Sequence, residues 1–174
     1  KVKNIIINDY KTFLHVKKIL KNKKINIYNK FDNIKSILYK KKADYTMNAV
    51  TGFNGLKPTL DIIKFSKNIA IANKESIICG WALIHKELKK NNTKFIPLDS
   101  EHFSIWSLIK SDNIENIKKI YLTASGGPFL NKKLKDIKFI KPKYALMHPN
   151  WKMGKKITID SATMMNKIFE VIEA

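Results

Sequence analysis

Short apolar runs alternate with amphipathic stretches through the first half of the chain, and this alternation constrains the possible folds more than any other feature. The candidate strands are Ile5–Ile7, Ile25–Tyr28, Met47–Val50, Ile69–Ala72 and Phe95–Leu98. Helical spacing of apolar residues predicts helices over Phe13–Leu20, over Leu60–Phe65 and over a segment that ends at Asn91-Asn92. Strands that alternate with helices are typical of an α/β protein built on a parallel sheet.

This sheet is predicted to be an incomplete form of a doubly wound sheet. The Gly-rich turn that follows the opening strand of such sheets is absent, because Gly52-x-x-Gly55 lacks the further glycines of that motif. The chain does not begin with Met, and Ile168–Ala174 continues a helical pattern to the last residue. We therefore expect a truncated Rossmann-like doubly wound parallel sheet over residues 1–98, followed by the start of an α+β domain over residues 99–174.

The net charge of +20 raises the alternative of a lysine-rich nucleic-acid-binding module. All 34 basic residues are lysines, and the sequence contains no arginine. Base and phosphate recognition favour the planar guanidinium group, so we expect no specific nucleic-acid partner. Solvated lysine faces, encoded by an AT-rich genome, account for the charge instead.

Cysteine content and hydropathy indicate which cellular compartment the chain suits. Cys79 is the only cysteine, which excludes a disulfide framework and favours a reducing compartment. Its neighbours Ile77, Ile78 and Trp81 are apolar, so the thiol is predicted to be buried and structural. No apolar run approaches the roughly 20 residues of a membrane span, so no membrane partner is expected.

Polar residues follow two of the predicted strands at the edge where ligands of parallel sheets gather. They form the segments Asn73-Lys74-Glu75 and Asp99-Ser100-Glu101-His102. Asp99 and Glu101 lie two positions apart, so an extended backbone directs both carboxylates to one side. With a third carboxylate they could bind Mg²⁺ or Mn²⁺, which prefer oxygen ligands. The alternative is that they cap the next helix.

The second half of the chain offers further candidates. Strands are predicted at Ile120–Thr123 and Ile157–Ile159, and a last helix is predicted to begin at Asp160 or at Ser161 as its N-cap. This helix would carry Asn166, Lys167 and Glu170 as one polar stripe. The stripe could bind a phosphate and a metal ion, or it could be a Lys–Glu ion pair on a solvated face. Ser125-Gly126-Gly127 could bind a phosphate or be an ordinary turn, and His148 could donate to a substrate oxygen or cap a loop. Trp151 and Met153 could line a lid over the site or be ordinary packing residues.

Five segments in one order carry a family resemblance. They are Ala72-Asn73-Lys74-Glu75-Ser76, Asp99-Ser100-Glu101-His102, Ser125-Gly126-Gly127-Pro128-Phe129, His148-Pro149-Asn150-Trp151-x-Met153-Gly154 and Asp160-Ser161-Ala162-Thr163-Met164-Met165-Asn166-Lys167. Together they closely resemble the deoxyxylulose-phosphate reductoisomerase family. The resemblance is strong from Val50 to Ala174 and weaker before Val50.

The resemblance implies a role for each matching residue. The implied divalent-metal ligands are Asp99, Glu101 and Glu170, and catalytic roles are implied at Lys74, Glu101 and His148. The implied substrate-binding residues are Lys74, Ser100, Glu101, Ser125, His148, Trp151, Met153, Ser161, Asn166, Lys167 and Glu170, of which Ser125, Ser161, Asn166 and Lys167 face the phosphate and nearby hydroxyls. The implied cofactor contacts near the nicotinamide are Asn73, Glu75 and Gly154. Residues 148–154 would form a mobile flap in the catalytic domain.

Members of this family convert 1-deoxy-D-xylulose 5-phosphate to 2-C-methyl-D-erythritol 4-phosphate in the non-mevalonate isoprenoid pathway. The resemblance thus implies NADPH and Mg²⁺ or Mn²⁺ as cofactors, a sugar-phosphate substrate, and a homodimer at full length. Without the Gly-rich loop, we expect this polypeptide alone to be inactive. The pathway and the AT-biased composition indicate an apicoplast-like plastid, with a bacterial cytoplasm as the alternative. Another metal-dependent sugar-phosphate isomerase or an aldolase is the remaining alternative.

Overall fold

A computed structural model gives the fold of residues 2–110, 114–150 and 152–174, in which short strands alternate with helices. The strands are β1 (Asn4–Ile6), β2 (Asn26–Tyr28), β3 (Thr46–Asn48), β4 (Asn68–Ile71) and β5 (Lys94–Pro97). The α-helices are α1 (Tyr10–Ile19), α2 (Ile34–Leu38), α3 (Leu56–Ile63), α4 (Lys74–Asn91), α5 (Ser100–Ile109), α6 (Leu134–Ile137), α7 (Lys155–Ala162) and α8 (Met165–Glu173).

The strands pair in parallel and form two sheets. One sheet contains β1 and β2, and the other has the order β3-β4-β5. Each strand matches an apolar run of the sequence to within one or two residues, and the Rossmann-like α/β class predicted for the first part of the chain is confirmed. The carboxyl ends of β4 and β5 lie at the same edge, so the segments that follow them are neighbours.

Helices α3 and α4 pack against the larger sheet and form the core with it. The buried apolar residues of this core are Ile62, Ile63, Ile69, Ile71, Ile77, Ile84 and Leu88. Gly80 on α4 allows the close packing of α3, because a Cβ atom there would lie 2.4 Å from a methyl carbon of Leu56. The close contact fixes α4 and therefore the position of its first residue, Lys74.

Helix α4 has a clear start and a clear stop, and the sequence predicts its stop at Asn91-Asn92. The side chain of Asn73 accepts a hydrogen bond from the Ser76 backbone N–H at 2.6 Å, as an N-cap residue does. Asn92 ends the helix in the left-handed conformation, with φ of 50°. Since only Ala72 separates β4 from Asn73, the first turn of α4 lies at the carboxyl edge of the sheet.

The thiol of Cys79 is exposed, so the predicted burial is wrong. On α4 the buried positions include Ile77, Gly80, Ile84 and Leu88, which follow the helical period along one stripe. Cys79 falls beside this stripe, so its side chain is exposed although its neighbours in sequence are apolar.

Among the described residues, no helix combines the length and apolar character that crossing a membrane requires.

Two predicted strands after β5 are wrong. Ile120–Thr123 pairs with no strand of the described residues, and Tyr121 is 82% exposed. Ile157–Ile159 lies inside α7, although its β-branched side chains favour strands. An ion pair of 2.6 Å between Lys156 and Asp160, at the i, i+4 spacing of a helix, supports the helical conformation instead.

The last helix also begins elsewhere than predicted. Ser161 is not an N-cap, because it lies in the last turn of α7. Met164 separates α7 from α8 in the left-handed conformation, with φ of 62°. This conformation is costly for a residue with a side chain. Two short helices with a sharp break therefore replace the single helix of the prediction.

Candidate metal and substrate site

Lys74 lies at the centre of a polar cluster between the sheet edge and α8. Its Nζ is 2.6 Å from Asp99 Oδ2 and 3.3 Å from Glu170 Oε1, and it donates to Asn166 Oδ1 at 3.0 Å. Only 11% of the Lys74 side chain is exposed. Because these partners come from the end of β5 and from α8, Lys74 ties α8 to the sheet edge.

The three predicted metal ligands meet in this cluster. Asp99 precedes α5, Glu101 lies in the first turn of α5, and Glu170 lies in the middle of α8. One carboxylate oxygen from each can be chosen so that all three lie within 4.8 Å of one another. Asp99 Oδ1 is buried and accepts no hydrogen bond from the described residues. An all-carboxylate set with an unused buried oxygen fits a hard divalent cation.

Lys167 faces two of these carboxylates from α8. Its Nζ lies 2.9 Å from Glu101 Oε1 and also contacts Glu170 Oε2. The Asn166 amide donates to Glu170 Oε1, so the predicted polar stripe of α8 exists and faces inward. Two ammonium groups against three carboxylates leave the cluster with an excess of negative charge, which a divalent cation would reverse.

The charges of this cluster are stabilised by one another. Burial lowers the pKa of Lys74, but its carboxylate partners raise it by more, so the pKa lies above the usual lysine value. Burial likewise lowers the pKa of Lys167, and its carboxylate contacts outweigh that effect. Burial raises the pKa of Glu101, whereas a neighbouring hydroxyl group and Lys167 lower it to below its usual value. These three groups are therefore charged at neutral pH.

The cluster forms one wall of a cavity of about 520 Å³. The lining residues are Lys74, Asp99, Ser100, Glu101, Thr123, Ala124, Ser125, Gly126, His148, Met153, Ile157, Ser161, Met164, Asn166, Lys167 and Glu170. The cavity therefore brings together every predicted metal ligand and every predicted substrate residue, with the exception of Trp151. Trp151 lies outside the described residues.

His148 and Ser125 contact each other in the lining of the cavity. The Nε2 atom of His148 is 3.2 Å from Ser125 Oγ, and its Nδ1 accepts a hydrogen bond from the Asn150 backbone N–H at 3.2 Å. Since Nδ1 accepts, a neutral ring carries its proton on Nε2. His148 in that form presents a donor to the cavity.

A second cavity of about 540 Å³ adjoins the first. The residues that line both are Lys74, Asp99, Ile157 and Asn166. The second cavity also contains Asn73, Glu75 and Gly154, which are the predicted cofactor contacts. Two compartments that share a wall can hold two reactants side by side.

The side chain of Asn73 is occupied by contacts within the protein. Besides capping α4, it donates to Gly52 O at 2.6 Å and to Val50 O. Asn73 thus holds the loop that follows β3 against the start of α4. The family resemblance predicts a cofactor contact here, and in the structure Asn73 lines the second cavity while it holds this loop.

Sequence reasoning missed two residues at this site. Lys156 bridges Glu75, at 2.9 Å, and Asp160, at 2.6 Å, beside the second cavity. Only the i, i+4 spacing of Lys156 and Asp160 could have indicated it. Met164 lines the first cavity in its left-handed conformation, and no glycine or asparagine marks the break in sequence.

Comparisons with known proteins agree with this arrangement. Residues 1–80 match the family model described as 1-deoxy-D-xylulose 5-phosphate reductoisomerase, and residues 95–174 match the model of its C-terminal domain. The 1-deoxy-D-xylulose 5-phosphate reductoisomerase of Pelagibacter ubique is 63% identical over 99% of this chain and 45% of its own length. That of Clostridium novyi is 45% identical over 97% of this chain and 44% of its own length.

Solved structures give the same result. The Zymomonas mobilis 1-deoxy-D-xylulose 5-phosphate reductoisomerase in complex with NADPH has a TM-score of 0.84 and 35% identity, over 99% of this chain and 44% of its own. A DOX-P reductoisomerase in complex with NADPH, fosmidomycin and magnesium has a TM-score of 0.79 and 36% identity, over 98% of this chain and 45% of its own. The chain thus spans less than half the length of these relatives.

Proposed function

We propose that this chain, which belongs to the 1-deoxy-D-xylulose 5-phosphate reductoisomerase family, supplies the metal and substrate site of an enzyme with that activity. The enzyme would convert 1-deoxy-D-xylulose 5-phosphate to 2-C-methyl-D-erythritol 4-phosphate with NADPH and Mg²⁺ or Mn²⁺. The observation that carries the proposal is the convergence of Asp99, Glu101 and Glu170 in one cavity. The activity is proposed for a polypeptide that contains this chain.

Asp99, Glu101 and Glu170 would hold the divalent ion. When bound, the ion would supply Lewis-acid stabilisation of negative charge on the carbonyl and hydroxyl oxygens of the substrate. Lys74 lies against Asp99 and Glu170, so its ammonium group can donate to the same substrate oxygens. The Ser100 hydroxyl donates to Glu101 Oε2 at 2.6 Å and would keep that carboxylate oriented while substrate binds.

The phosphate end of the substrate would bind to hydroxyl, amide and ammonium groups in the same cavity. These groups belong to Ser125, Ser161, Asn166 and Lys167, of which Asn166 and Lys167 also contact the metal cluster. The Nε2–H of His148 would donate to a substrate oxygen, since it already faces Ser125. Phosphate contacts remote from the reacting carbons provide binding energy that helps to hold the substrate in a reactive orientation.

The second cavity would hold the nicotinamide end of NADPH. Glu75 and Gly154 line it and could contact the cofactor, and Asn73 supports the wall by holding Val50 and Gly52. Lys74 and Asn166 line both cavities, so cofactor and substrate would lie side by side. Hydride transfer needs such proximity.

Residues 148–154 would act as the flap. Met153 lines the substrate cavity and Gly154 lines the second cavity, so this segment borders both compartments. Trp151 is proposed as a further part of the flap on the basis of the family resemblance alone. An apolar flap would exclude water from the reacting groups.

Domain organisation, assembly and location complete the proposal. Residues 1–98 would form the later part of the NADPH-binding domain, and residues 99–174 the first part of the catalytic domain. The two matched family segments, 1–80 and 95–174, support this division. A homodimer is proposed from the family resemblance alone. A bacterial cytoplasm is proposed rather than a plastid, because relatives such as that of Pelagibacter ubique are bacterial.

The test is NADPH oxidation by the longer protein that contains this chain, supplied with 1-deoxy-D-xylulose 5-phosphate. Oxidation that requires Mg²⁺ or Mn²⁺ is expected in the wild type, and Glu170→Gln should lose most of it because one metal ligand becomes neutral. Lys57→Met is a matched control, since Lys57 forms a surface ion pair with Asp61 and should leave activity unchanged. Absence of NADPH oxidation with either metal would refute the proposed activity.

A further inference from the structure

A buried histidine–glutamate pair joins α5 to α8 behind the metal cluster. His102 Nδ1 lies 3.1 Å from Glu173 Oε1, and the side chains are 13% and 0% exposed. Neither oxygen of Glu173 makes a hydrogen bond within the described part of the chain. His102 Nδ1 likewise makes no hydrogen bond there, so the 3.1 Å contact with His102 is the polar contact that the structure gives this buried carboxyl group.

Burying this pair is costly. A carboxylate removed from water loses several kcal/mol of solvation, and replacement of a buried pair by well-packed apolar residues is often neutral or stabilising. A contribution to stability therefore does not explain well why a glutamate is buried at position 173. The position of Glu173 in the fold explains it better.

Each residue of the pair lies within three positions of a proposed metal ligand on the same helix. His102 directly follows Glu101 on α5, and Glu173 lies one helical turn beyond Glu170 on α8. The ring of His102 also rests against Phe95 of β5, with centroids 6.1 Å apart. A contact at this point therefore fixes the separation of the two helices that carry Glu101 and Glu170.

We propose that His102 and Glu173 are positioning residues, which set the distance between Glu101 and Glu170 and thereby the affinity of the site for a divalent cation. This inference rests on the proposed function, in which those two carboxylates bind the ion. Neither residue lines the cavity that contains the proposed metal ligands. Both act through the helices that carry the ligands.

The test is Mn²⁺ binding by the longer protein, measured through the electron paramagnetic resonance signal of free Mn²⁺ without substrate. Glu173→Gln and His102→Gln should each bind Mn²⁺ about 10- to 100-fold more weakly, the usual range for outer residues that orient metal ligands. The double variant should bind no more weakly than the weaker single variant, because both changes remove one contact. The exchanged pair, His102→Glu with Glu173→His, should recover most of the affinity.

A second readout separates positioning from general damage to the fold. In the NADPH assay, the Mn²⁺ concentration for half-maximal rate should rise in the single variants, while kcat at saturating Mn²⁺ stays close to wild type. His85→Gln is the control, because His85 is an exposed histidine of α4 stacked on Trp81. The apolar pair His102→Phe with Glu173→Leu guards against misfolding, since it should fold and still bind Mn²⁺ weakly.

The outcomes distinguish the two proposals. If Glu170→Gln weakens Mn²⁺ binding but the His102 and Glu173 variants bind as tightly as wild type, the positioning inference is wrong and the metal site stands. Wild-type affinity in the apolar pair would also overturn the inference. If the wild type binds no Mn²⁺, or Glu170→Gln binds it unchanged, the proposed function itself fails.

Discussion

Replacing Lys74 by Met should destabilise the protein in a way that depends on the divalent cation. Lys74 Nζ lies 2.6 Å from Asp99 Oδ2 and 3.3 Å from Glu170 Oε1. All three side chains are largely buried. At an effective dielectric constant of about 20, each contact attracts by roughly 5–6 kcal/mol before desolvation is subtracted. Breaking a buried pair by removing one partner costs about 3–5 kcal/mol net, which is the loss expected without metal.

A bound cation should reduce this loss. In the wild type the ion must compete with the Lys74 ammonium group for Asp99 and Glu170, whereas in Lys74→Met it meets carboxylates that lack this partner. An ion present at 100 times its Kd stabilises a protein by about 2.7 kcal/mol. We therefore expect the variant to gain more stability from Mg²⁺ than the wild type gains.

Urea unfolding of the longer protein, in EDTA and in excess Mg²⁺, measures both effects. The difference in unfolding free energy between wild type and Lys74→Met should be large in EDTA and clearly smaller in Mg²⁺. Lys57→Met is the control, because its exposed pair with Asp61 should have no measurable effect in either buffer. A difference that stays the same in both buffers would refute the assignment of Lys74 as the group that balances the metal ligands.

Three further predictions follow from single positions. Gly127→Ala should lower the free energy of unfolding in urea by about 1–3 kcal/mol, because φ is +61° and the new Cβ would lie 2.9 Å from Ser161 O; an unchanged midpoint would contradict this. Met164→Gly should leave stability unchanged or raise it, since φ is 62°. Met165→Gly, at the first residue of α8, should lower stability by up to about 1 kcal/mol, and the opposite order would be inconsistent with the helix break. The lowered pKa of Glu101 means that its contribution to stability is present above the pKa of an unfolded glutamate and is lost as pH falls through the lower, folded value. Acid titration of the unfolding free energy should show less pH dependence in Glu101→Gln than in wild type.

Local features of the sequence were sufficient to predict the parallel strands and helix α4. Each strand is an apolar run, and α4 is bounded by Asn73 at its start and Asn92 at its end, which are residues that favour those caps. The apolar run at Ile120–Thr123 predicts a strand in the same way. A strand forms only with a partner, and no strand of the described residues pairs with that segment.

Local sequence features likewise predict only part of the site. The spacing of Asp99 and Glu101 at a strand end favours one shared face, so a metal pair could be inferred from local geometry. Glu170 joins them only because α8 packs against α4 and α5, which no local pattern records. The break at Met164 could not be predicted, because no turn-forming residue marks it in the sequence. What lies beside it is the close packing of Gly127 against Ser161, which only the folded structure shows.

The proposed function requires that Asp99, Glu101 and Glu170 together bind the divalent ion. The most direct measurement is anomalous diffraction at the manganese absorption edge, from crystals of the longer protein grown with Mn²⁺. The claim predicts a peak within about 2.0–2.6 Å of an oxygen from each carboxylate, the range found for hard divalent cations. A peak bound by other residues, or none at these three carboxylates with Mn²⁺ in excess, would contradict it.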